Sequence, residues 1–365
     1  MTSSSWVYIL LFTLPSYIFS QTLLDRLNVP IYLSTTLSTG YDTNIFRLSE
    51  FEKQFEFYNY IPIIDGDQFH SSYIAPKISI SYSPALISGV KTQLTSSLSR
   101  THYIDIEEKS YNVFFSQLAI KLGAYRWLKF SHRFLPEYYL RNYLDEDVAV
   151  NDYFNCSFSS ESFSVSFSNP LIKKVWSRLK YTRTNLYYNI DFTEYDTVVK
   201  QFELRLYSNY FKINNSVWFS YGDGENISYA TGYESSTYDR SYVEYIYGLS
   251  SNKKINFLLF VDRIGSSFII KNRQYKEESV DDPIHSGRED LEYHFSFWME
   301  QKLTKSMSHQ FKVKFREKDV FSDYFINYLG GTGVTQSVAT TNLKSFEKFE
   351  FIYKIVLDTH LDFLF

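Results

Sequence analysis

Apolar and polar residues alternate with a period of two along the C-terminal segment of the chain. From residue 349 to 365 the odd positions read Phe, Phe, Tyr, Ile, Leu, Thr, Leu, Phe and Phe, whereas most even positions are polar or charged. Successive side chains of a β-strand point to opposite faces, so this pattern predicts a strand with one apolar face and one mostly polar face. A helix would need apolar residues at i, i+3 and i+4 instead.

The same alternation recurs along the whole chain. It is clearest at 74–82, 128–134, 291–299 and 311–316, and further candidate strands lie at 31–41, 90–103, 111–122, 153–167, 175–190, 198–207, 213–221, 240–249 and 255–263. With the final strand, the pattern predicts about 14 strands within a range of roughly 12 to 16, and closed bacterial barrels have an even number.

The connections between these strands alternate in length. Short polar turns are expected near 83–89, 123–125, 169–174, 207–212, 250–254 and 304–308, and longer loops at 42–72, 104–110, 139–152, 191–197, 222–239, 264–289 and 317–345. Transmembrane β-barrels have short periplasmic turns and longer extracellular loops. Several candidate strands exceed the ~5–6 residues usual in soluble sheets. The sequence therefore predicts an all-β fold, a closed antiparallel transmembrane β-barrel with up-and-down topology; a soluble exported β-sandwich is the alternative.

The N-terminus predicts export. Residues 6–19 form an uncharged, largely apolar run of about 14 residues, the length of a secretory signal and short of the ~20 that a spanning helix needs. Ser20 offers a small residue for cleavage before Gln21. We expect a signal peptide at 1–20, read by the Sec pathway, and a single barrel domain at 21–365. An N-terminal anchor is the alternative. Residues 1–5 carry no Lys or Arg, so either the α-amino group supplies the positive charge of the signal or the start of translation lies elsewhere.

Composition excludes several classes of protein. Aromatic residues make up 19% of the chain, which is unlike disordered proteins, and the single Cys156 excludes a disulfide framework. Lys and Arg (37) nearly balance Asp and Glu (41), so nothing indicates a nucleic-acid partner. The seven histidines are scattered, and Gly-x-Ser-x-Gly, His-Glu-x-x-His and P-loop patterns are missing. We expect no enzymatic activity, no cofactor and no metal site, and we interpret 222–226 (Gly-Asp-Gly-Glu-Asn) as a turn.

On these features the chain resembles bacterial outer-membrane β-barrel proteins. Leu361, Phe363 and Phe365 lie on one face of the last strand and look like the signal read by the barrel-assembly machinery of Gram-negative bacteria. Residues 40–47 read Gly-Tyr-Asp-Thr-Asn-Ile-Phe-Arg, which resembles the opening strand of porin-like β-barrels. The resemblance implies a location in the bacterial outer membrane, contact with its lipids, and periplasmic chaperones and the assembly machinery as partners during biogenesis. It leaves the oligomeric state open.

The strand phase also predicts which charged residues line the lumen. The basic candidates are Lys129, Arg133, Arg178, Lys180, Lys312, Lys314 and Arg316, and the acids in the same phase are Glu203, Glu244, Glu292, Glu300, Glu350, Asp358 and Asp362. Either these charges pair across the wall, or a basic stripe on 312–316 biases passage toward anions.

Two functions are compatible with this sequence. One is a porin-like channel for small solutes across the outer membrane. The other is a non-conducting outer-membrane barrel that acts through its extracellular loops as an adhesion or partner-binding protein. The segment 42–72 is unusually apolar for an exposed loop, which suits a binding surface, a plug folded into the barrel or an extension of the strands equally.

Overall fold

A computed structural model describes residues 29, 31–56, 68–84, 90–144, 153–228, 239–255, 261–279, 282, 284–329 and 335–361. Fourteen strands form one closed antiparallel barrel: β1 (Ile31–Asp42), β2 (Ser71–Tyr82), β3 (Lys91–Tyr103), β4 (Tyr111–Gly123), β5 (Arg126–Leu144), β6 (Tyr153–Ile172), β7 (Val175–Tyr188), β8 (Thr197–Tyr210), β9 (Ile213–Asn226), β10 (Tyr242–Lys254), β11 (Arg263–Tyr275), β12 (Glu289–Lys302), β13 (Met307–Phe321) and β16 (Phe346–Leu361). A separate hairpin, β14 (Phe325–Leu329) and β15 (Thr335–Ala339), lies in the β13–β16 connection, and two short helices are α1 (Glu50–Glu56) and α2 (Thr340–Lys344).

Each barrel strand pairs with its two neighbours, and the barrel closes between β1 and β16. That seam runs in register from Ile31 opposite Leu361 to Asp42 opposite Glu350. None of the fourteen described barrel strands therefore has a free edge, which in a membrane would leave backbone N–H and C=O groups without partners. The predicted fold class is confirmed.

The two faces of the barrel differ as the alternation predicts. In β16, Phe349, Phe351 and Tyr353 are exposed on the outside. Lys348 and Glu350, which have the opposite phase, bond to charged groups of neighbouring strands. An exposed apolar belt of this kind is what lipid contact requires. No helix within the described residues is long and apolar enough to cross a membrane.

The structure corrects three local predictions. The short turn predicted near 250–254 belongs to β10, which extends to Lys254. The strand predicted at 255–263 is instead β11, which begins at Arg263, so the predicted loop 264–289 shortens to 276–288. The alternation of β11 is weakened by inward Gly265 and Ile269 and by outward Ser266, which hides this strand in the sequence. Residues 256–260 lie outside the described residues.

The predicted turn at 222–226 is also wrong, because these residues complete β9. Gly224 belongs in the strand for a steric reason: a Cβ there would lie 2.7 Å from the ring of Tyr242. The acids of this segment already have basic partners, since Asp223 pairs with Lys276 at 2.5 Å and Glu225 with Lys200 at 2.8 Å.

Some predictions fall outside the described residues. The signal peptide at 1–20 lies there, and so do Phe363 and Phe365 of the assembly signal. The backbone of Leu361 is described and pairs with Ile31 at the seam. The assembly machinery and periplasmic chaperones remain predicted partners.

Candidate functional site

The β1–β2 loop turns back into the barrel directly after β1. Asn44 fixes this turn, because its side-chain amide donates to the carbonyls of Leu48 (2.8 Å) and Glu347 (3.0 Å) and its oxygen accepts from the N–H of Leu48 (2.8 Å). Asp42 accepts from the N–H of Asn44 at 3.1 Å and binds the ammonium of Lys348. The Gly-Tyr-Asp-Thr-Asn segment thus directs the loop inward.

Helix α1 follows and is anchored to the barrel wall. The N–H of Glu52 donates to Ser49 Oγ (3.0 Å), and the N–H of Ser49 donates to Glu52 Oε2 (2.8 Å), which is a capping box. The other oxygen of Glu52 lies 2.8 Å from the guanidinium of Arg141 in β5, and both side chains are almost fully buried. This ion pair ties α1 to the barrel wall at β5.

Three loops meet at the long-loop end of the barrel. Phe51 of α1 and Ile284 of the β11–β12 loop pack against buried Val338 and Leu343 of the β13–β16 connection. Of the interpretations of 42–72, inward folding therefore describes the portion up to α1. Residues 57–67 of that segment lie outside the described residues.

Beneath these loops lies a cavity of 340 Å³ inside the barrel. Strands β5, β6, β7, β11, β12, β13 and β16 line it together with the inward loops. Ten Lys or Arg side chains border it: Arg47, Lys109, Arg141, Arg240, Lys271, Arg273, Arg288, Arg316, Lys318 and Lys344. Glu292 is the one carboxylate among its lining residues. The cavity wall is therefore strongly basic.

Several of these cations are neutralised by acids set behind or within the wall. The pairs are Lys271 and Arg273 with Glu244 (2.7 and 2.8 Å), Arg288 and Lys318 with Asp290 (2.6 and 2.8 Å), Arg316 with Glu292 (2.7 Å), and Arg141 with Glu52. Three of the four acids are shared between two basic groups, because Glu292 also binds His294 at 2.9 Å. Pairing thus leaves positive charge in excess.

Four further cations have no carboxylate within ion-pair distance in the described part of the chain: Arg47, Lys109, Arg240 and Lys344. The ammonium of Lys109 donates to the carbonyls of Tyr139 (2.8 Å) and Leu140 (2.5 Å), and Arg240 donates to the hydroxyl of Tyr188. These are neutral acceptors, so they satisfy donors without cancelling charge.

Burial and crowding show how unusual these cations are. Burial lowers the pKa of Lys109 well below its usual range, and the nearby cations Arg47, Lys348 and Arg141 lower it further. Burial likewise lowers the pKa of Lys344 to about 7. Arg47 adopts a left-handed backbone with a φ of 56°. Strained backbone and perturbed charges are both common at functional sites.

The structure distributes the seven predicted lumen residues widely, and only Arg316 borders the cavity. Arg178 pairs with Glu203 (2.8 Å), and Lys314 with Glu350 (2.9 Å). The ammonium groups of Lys129 and Lys312 lie 5.9 and 5.7 Å from the rings of Trp127 and Trp298, Lys180 is half-buried, and Arg133 is exposed. Two residues of the 312–316 stripe, Lys314 and Arg316, thus form ion pairs with carboxylates of neighbouring strands.

Sequence reasoning missed the cations that border the cavity from the loops. Arg47, Lys109, Arg240 and Lys344 lie between strands, where no alternation assigns a side chain to one face. The one available signal was the position of Arg47 at the end of the 40–47 segment. Cys156 is buried in the cavity wall, and no group of three or more His, Cys, Asp or Glu within the described ranges is placed to hold a metal ion.

Known proteins resemble this chain in fold. No family model and no curated protein matches it. An anion-selective porin from Comamonas acidovorans is 8% identical, over 90% of this chain and 98% of the porin, with a TM-score of 0.44. OmpT, an outer membrane protein of Vibrio cholerae, is 8% identical over 90% and 97% (TM-score 0.46), and a FadL homologue of Pseudomonas aeruginosa is 7% identical over 92% and 90% (TM-score 0.38). Likeness at this level concerns architecture alone.

Proposed function

We propose that this protein is a channel of the bacterial outer membrane whose lumen favours small anionic solutes. The observation that supports it is the excess of positive charge at the internal cavity, where ten basic side chains border the space and only four carboxylates, Glu52, Glu244, Asp290 and Glu292, pair with them in the described part of the chain. In a narrow, partly dehydrated passage such an excess attracts anions and repels cations, since charged rings set selectivity at close range. The apolar outer belt supports the membrane location.

The inward loops make the passage selective rather than wide. The β1–β2 loop, the β11–β12 loop and α2 converge on the cavity, so a solute entering from the long-loop end meets the basic side chains first. A cavity of 340 Å³ holds a small organic anion and is too small for a macromolecule. The alternative is a barrel that these loops close completely and that acts through its outer surface.

Conductance of the purified protein in planar bilayers distinguishes these functions. We expect discrete conductance steps and, in a salt gradient, a reversal potential that reports anion preference. Arg47→Gln and Arg240→Gln should each shift that potential toward cations, because each removes a charge that no described carboxylate neutralises. The matched control is Lys314→Gln, which removes one positive charge from a pair with Glu350 away from the cavity.

The possible results separate cleanly. A wild type that prefers cations, or variants at Arg47 and Arg240 that behave like the Lys314 control, would contradict the anion preference. A correctly folded barrel that is silent in the bilayer would support the non-conducting alternative. Heat-modifiable migration verifies folding of each variant before its conductance is measured.

A further inference from the structure

Three neighbouring turns at the short-turn end of the barrel have an unusual backbone. They join β4 to β5, β6 to β7 and β8 to β9, and in them Tyr125, Lys174, Phe211 and Lys212 have φ angles of 60°, 65°, 54° and 61°. Tight hairpin turns need such left-handed residues, but Gly or Asn normally supplies them because a larger side chain strains the backbone. Here the strained conformation is combined with large side chains.

Packing within the protein does not account for this choice. Phe211 is 89% exposed and Tyr125 is 71% exposed, and Lys174 and Lys212 are exposed as well. The described structure thus contains few contacts that would offset the strain. Because an unfavourable conformation persists only where something stabilises it, these side chains point to a partner outside the chain.

The three turns form one continuous surface, the turn patch, made of residues 122–126, 171–174 and 210–212. Arg126 Nε donates to Asn169 Oδ1 at 3.0 Å, which links the first turn to the second. The hydroxyl of Tyr210 donates to the carbonyl of Lys173 at 3.3 Å, and the N–H of Asn209 donates to the carbonyl of Lys174 at 3.0 Å, which link the second turn to the third.

The turn patch is both apolar and basic. Its exposed apolar side chains are Leu122, Tyr125, Leu171, Ile172, Tyr210 and Phe211. Arg126, Lys173, Lys174 and Lys212 carry its positive charge, and the three ranges contain no Asp or Glu. Aromatic and basic residues side by side are typical of protein at the level of lipid headgroups.

The apolar belt of the barrel ends at this patch. On β8 the outward side chains from Phe202 to Tyr210 are mostly apolar, and Lys200, beyond Phe202, forms an outward ion pair with Glu225. Eight steps of ~3.3 Å give about 26 Å along the strand, and a tilt of about 40° reduces this to about 20 Å, close to the ~25 Å apolar band of outer-membrane barrels. The turn patch therefore lies where the hydrocarbon region meets the headgroups of the periplasmic leaflet.

We propose that the turn patch binds anionic phospholipid headgroups of the periplasmic leaflet. The proposal rests on the membrane placement given above but not on conduction. Lys173, Lys174 and Lys212 would contact the phosphate groups, while Tyr125 and Phe211 enter the boundary between headgroups and acyl chains. Binding to the membrane surface then supplies the stabilisation that the strained turns lack within the protein.

The test measures unfolding in urea after the full-length mature protein has been folded into vesicles. Phosphatidylcholine vesicles are compared with vesicles in which part of that lipid is replaced by phosphatidylglycerol. We expect phosphatidylglycerol to raise the urea midpoint of the wild type. The double variant Lys173→Gln, Lys212→Gln should lose most of this rise, since each basic residue at a membrane surface changes the preference for anionic lipid about fivefold. The control is Lys302→Gln with Lys305→Gln, exposed lysines of the β12–β13 turn outside the patch.

A second variant separates strain from lipid binding. Phe211→Asn with Lys212→Gly installs the residues that a left-handed turn prefers. It should raise the midpoint in phosphatidylcholine and reduce the additional rise caused by phosphatidylglycerol. Lower stability in phosphatidylcholine would overturn the strain argument.

Three other results would also overturn the proposal. One is a rise of the urea midpoint with phosphatidylglycerol that is unchanged in both patch variants. The patch would then not bind lipid, and a soluble partner would be the remaining explanation. Another is an equal loss in the Lys302 and Lys305 control, which would indicate a general surface-charge effect. Failure to insert into either vesicle would contradict the membrane placement itself, whereas insertion without conductance contradicts only the channel.

Discussion

Lys344 is a cavity residue whose charge changes near neutral pH. Burial is the main reason that its pKa is lowered to about 7; Arg141, Arg288 and Lys318 also lower it, and Glu52 opposes them. Its ammonium lies 5.2 Å from the ring of Tyr143 in β5. An ordinary lysine has a pKa near ~10.4 and stays charged throughout the neutral range. Lys344 instead is mostly neutral above about pH 7 and gains its charge as the pH falls below that value.

The proposed anion preference should therefore increase as the pH falls from about 8 to about 6. This change takes a group of pKa near 7 from about one-tenth to about nine-tenths protonated. Reversal potentials measured across this range test it. Lys344→Met should remove most of the dependence. His285→Gln should preserve it, because burial lowers the pKa of His285 and so disfavours protonation of that ring. A pH response that survives Lys344→Met would assign the titration to another group.

Helix α1 is held by the packing of Phe51 against the neighbouring loops and by the side chain of Glu52. Its capping box joins Ser49 to Glu52, and the same Glu52 binds Arg141 of β5. The carboxylate of Glu52 is buried at both contacts, so water cannot take its place when it is removed. The attachment of α1 to β5 thus depends on one carboxylate.

Glu52→Gln should release α1 from β5 and widen the passage. Breaking one partner of a buried ion pair typically costs about 3–5 kcal/mol, and movement of the loop is a cheaper response than unfolding of the barrel. We expect larger single-channel conductance and faster protease cleavage within the β1–β2 loop. Glu50→Gln is the matched control, because Glu50 is exposed and, within the described residues, its ion pair is with Lys53 on the same helix. Equal conductance in the two variants would show that α1 does not narrow the passage.

The elements differ in how far the sequence predicts them, and the difference has a physical basis. Strands such as β13 and β16 expose one face to the outside, and this imposes an alternation that is visible in the residues themselves. β11 was misplaced because inward Gly265 makes room for the ring of Trp298, a contact that no single sequence displays. The cavity depends on loops whose direction is set by individual contacts such as those of Asn44. The alternation of apolar and polar residues therefore predicts the strands of the barrel wall, but not the inward loops and the cavity that they border.

At the scale of the whole molecule, the net charge of −4 conceals a strong separation of charge. Basic side chains gather in the cavity and on the turn patch, while Glu317, Asp319 and Glu347 lie near one another toward the long-loop end. A balanced total thus accompanies an interior that is locally positive. Net charge alone would not have indicated a preference for anions.

The membrane placement also has a test that concerns the molecule as a whole. Leu98 of β3 is 47% exposed on the outer face, and Ser97 beside it lies in the opposite phase among small polar residues, opposite Ser79. Leu98→Lys should cost about 2–4 kcal/mol of unfolding free energy in vesicles, whereas Ser97→Lys on the lumen side should cost little. Equal losses in a urea titration would mean that the outer face does not meet lipid.

The seam between β1 and β16 means that the barrel can close only after its last strand has been added. It joins Ile31 to Leu361, which are 361 − 31 = 330 positions apart, so its closure requires a chain-entropy loss of about 5 kcal/mol from length alone. Until β16 is in place, β1 presents an unpaired edge that invites pairing with other chains. Contacts between residues so far apart in the chain make folding slow. β1 is synthesised long before β16, so its outer edge has no partner during that time. The risk of aggregation therefore depends more on how long the barrel stays open than on the stability of the closed barrel.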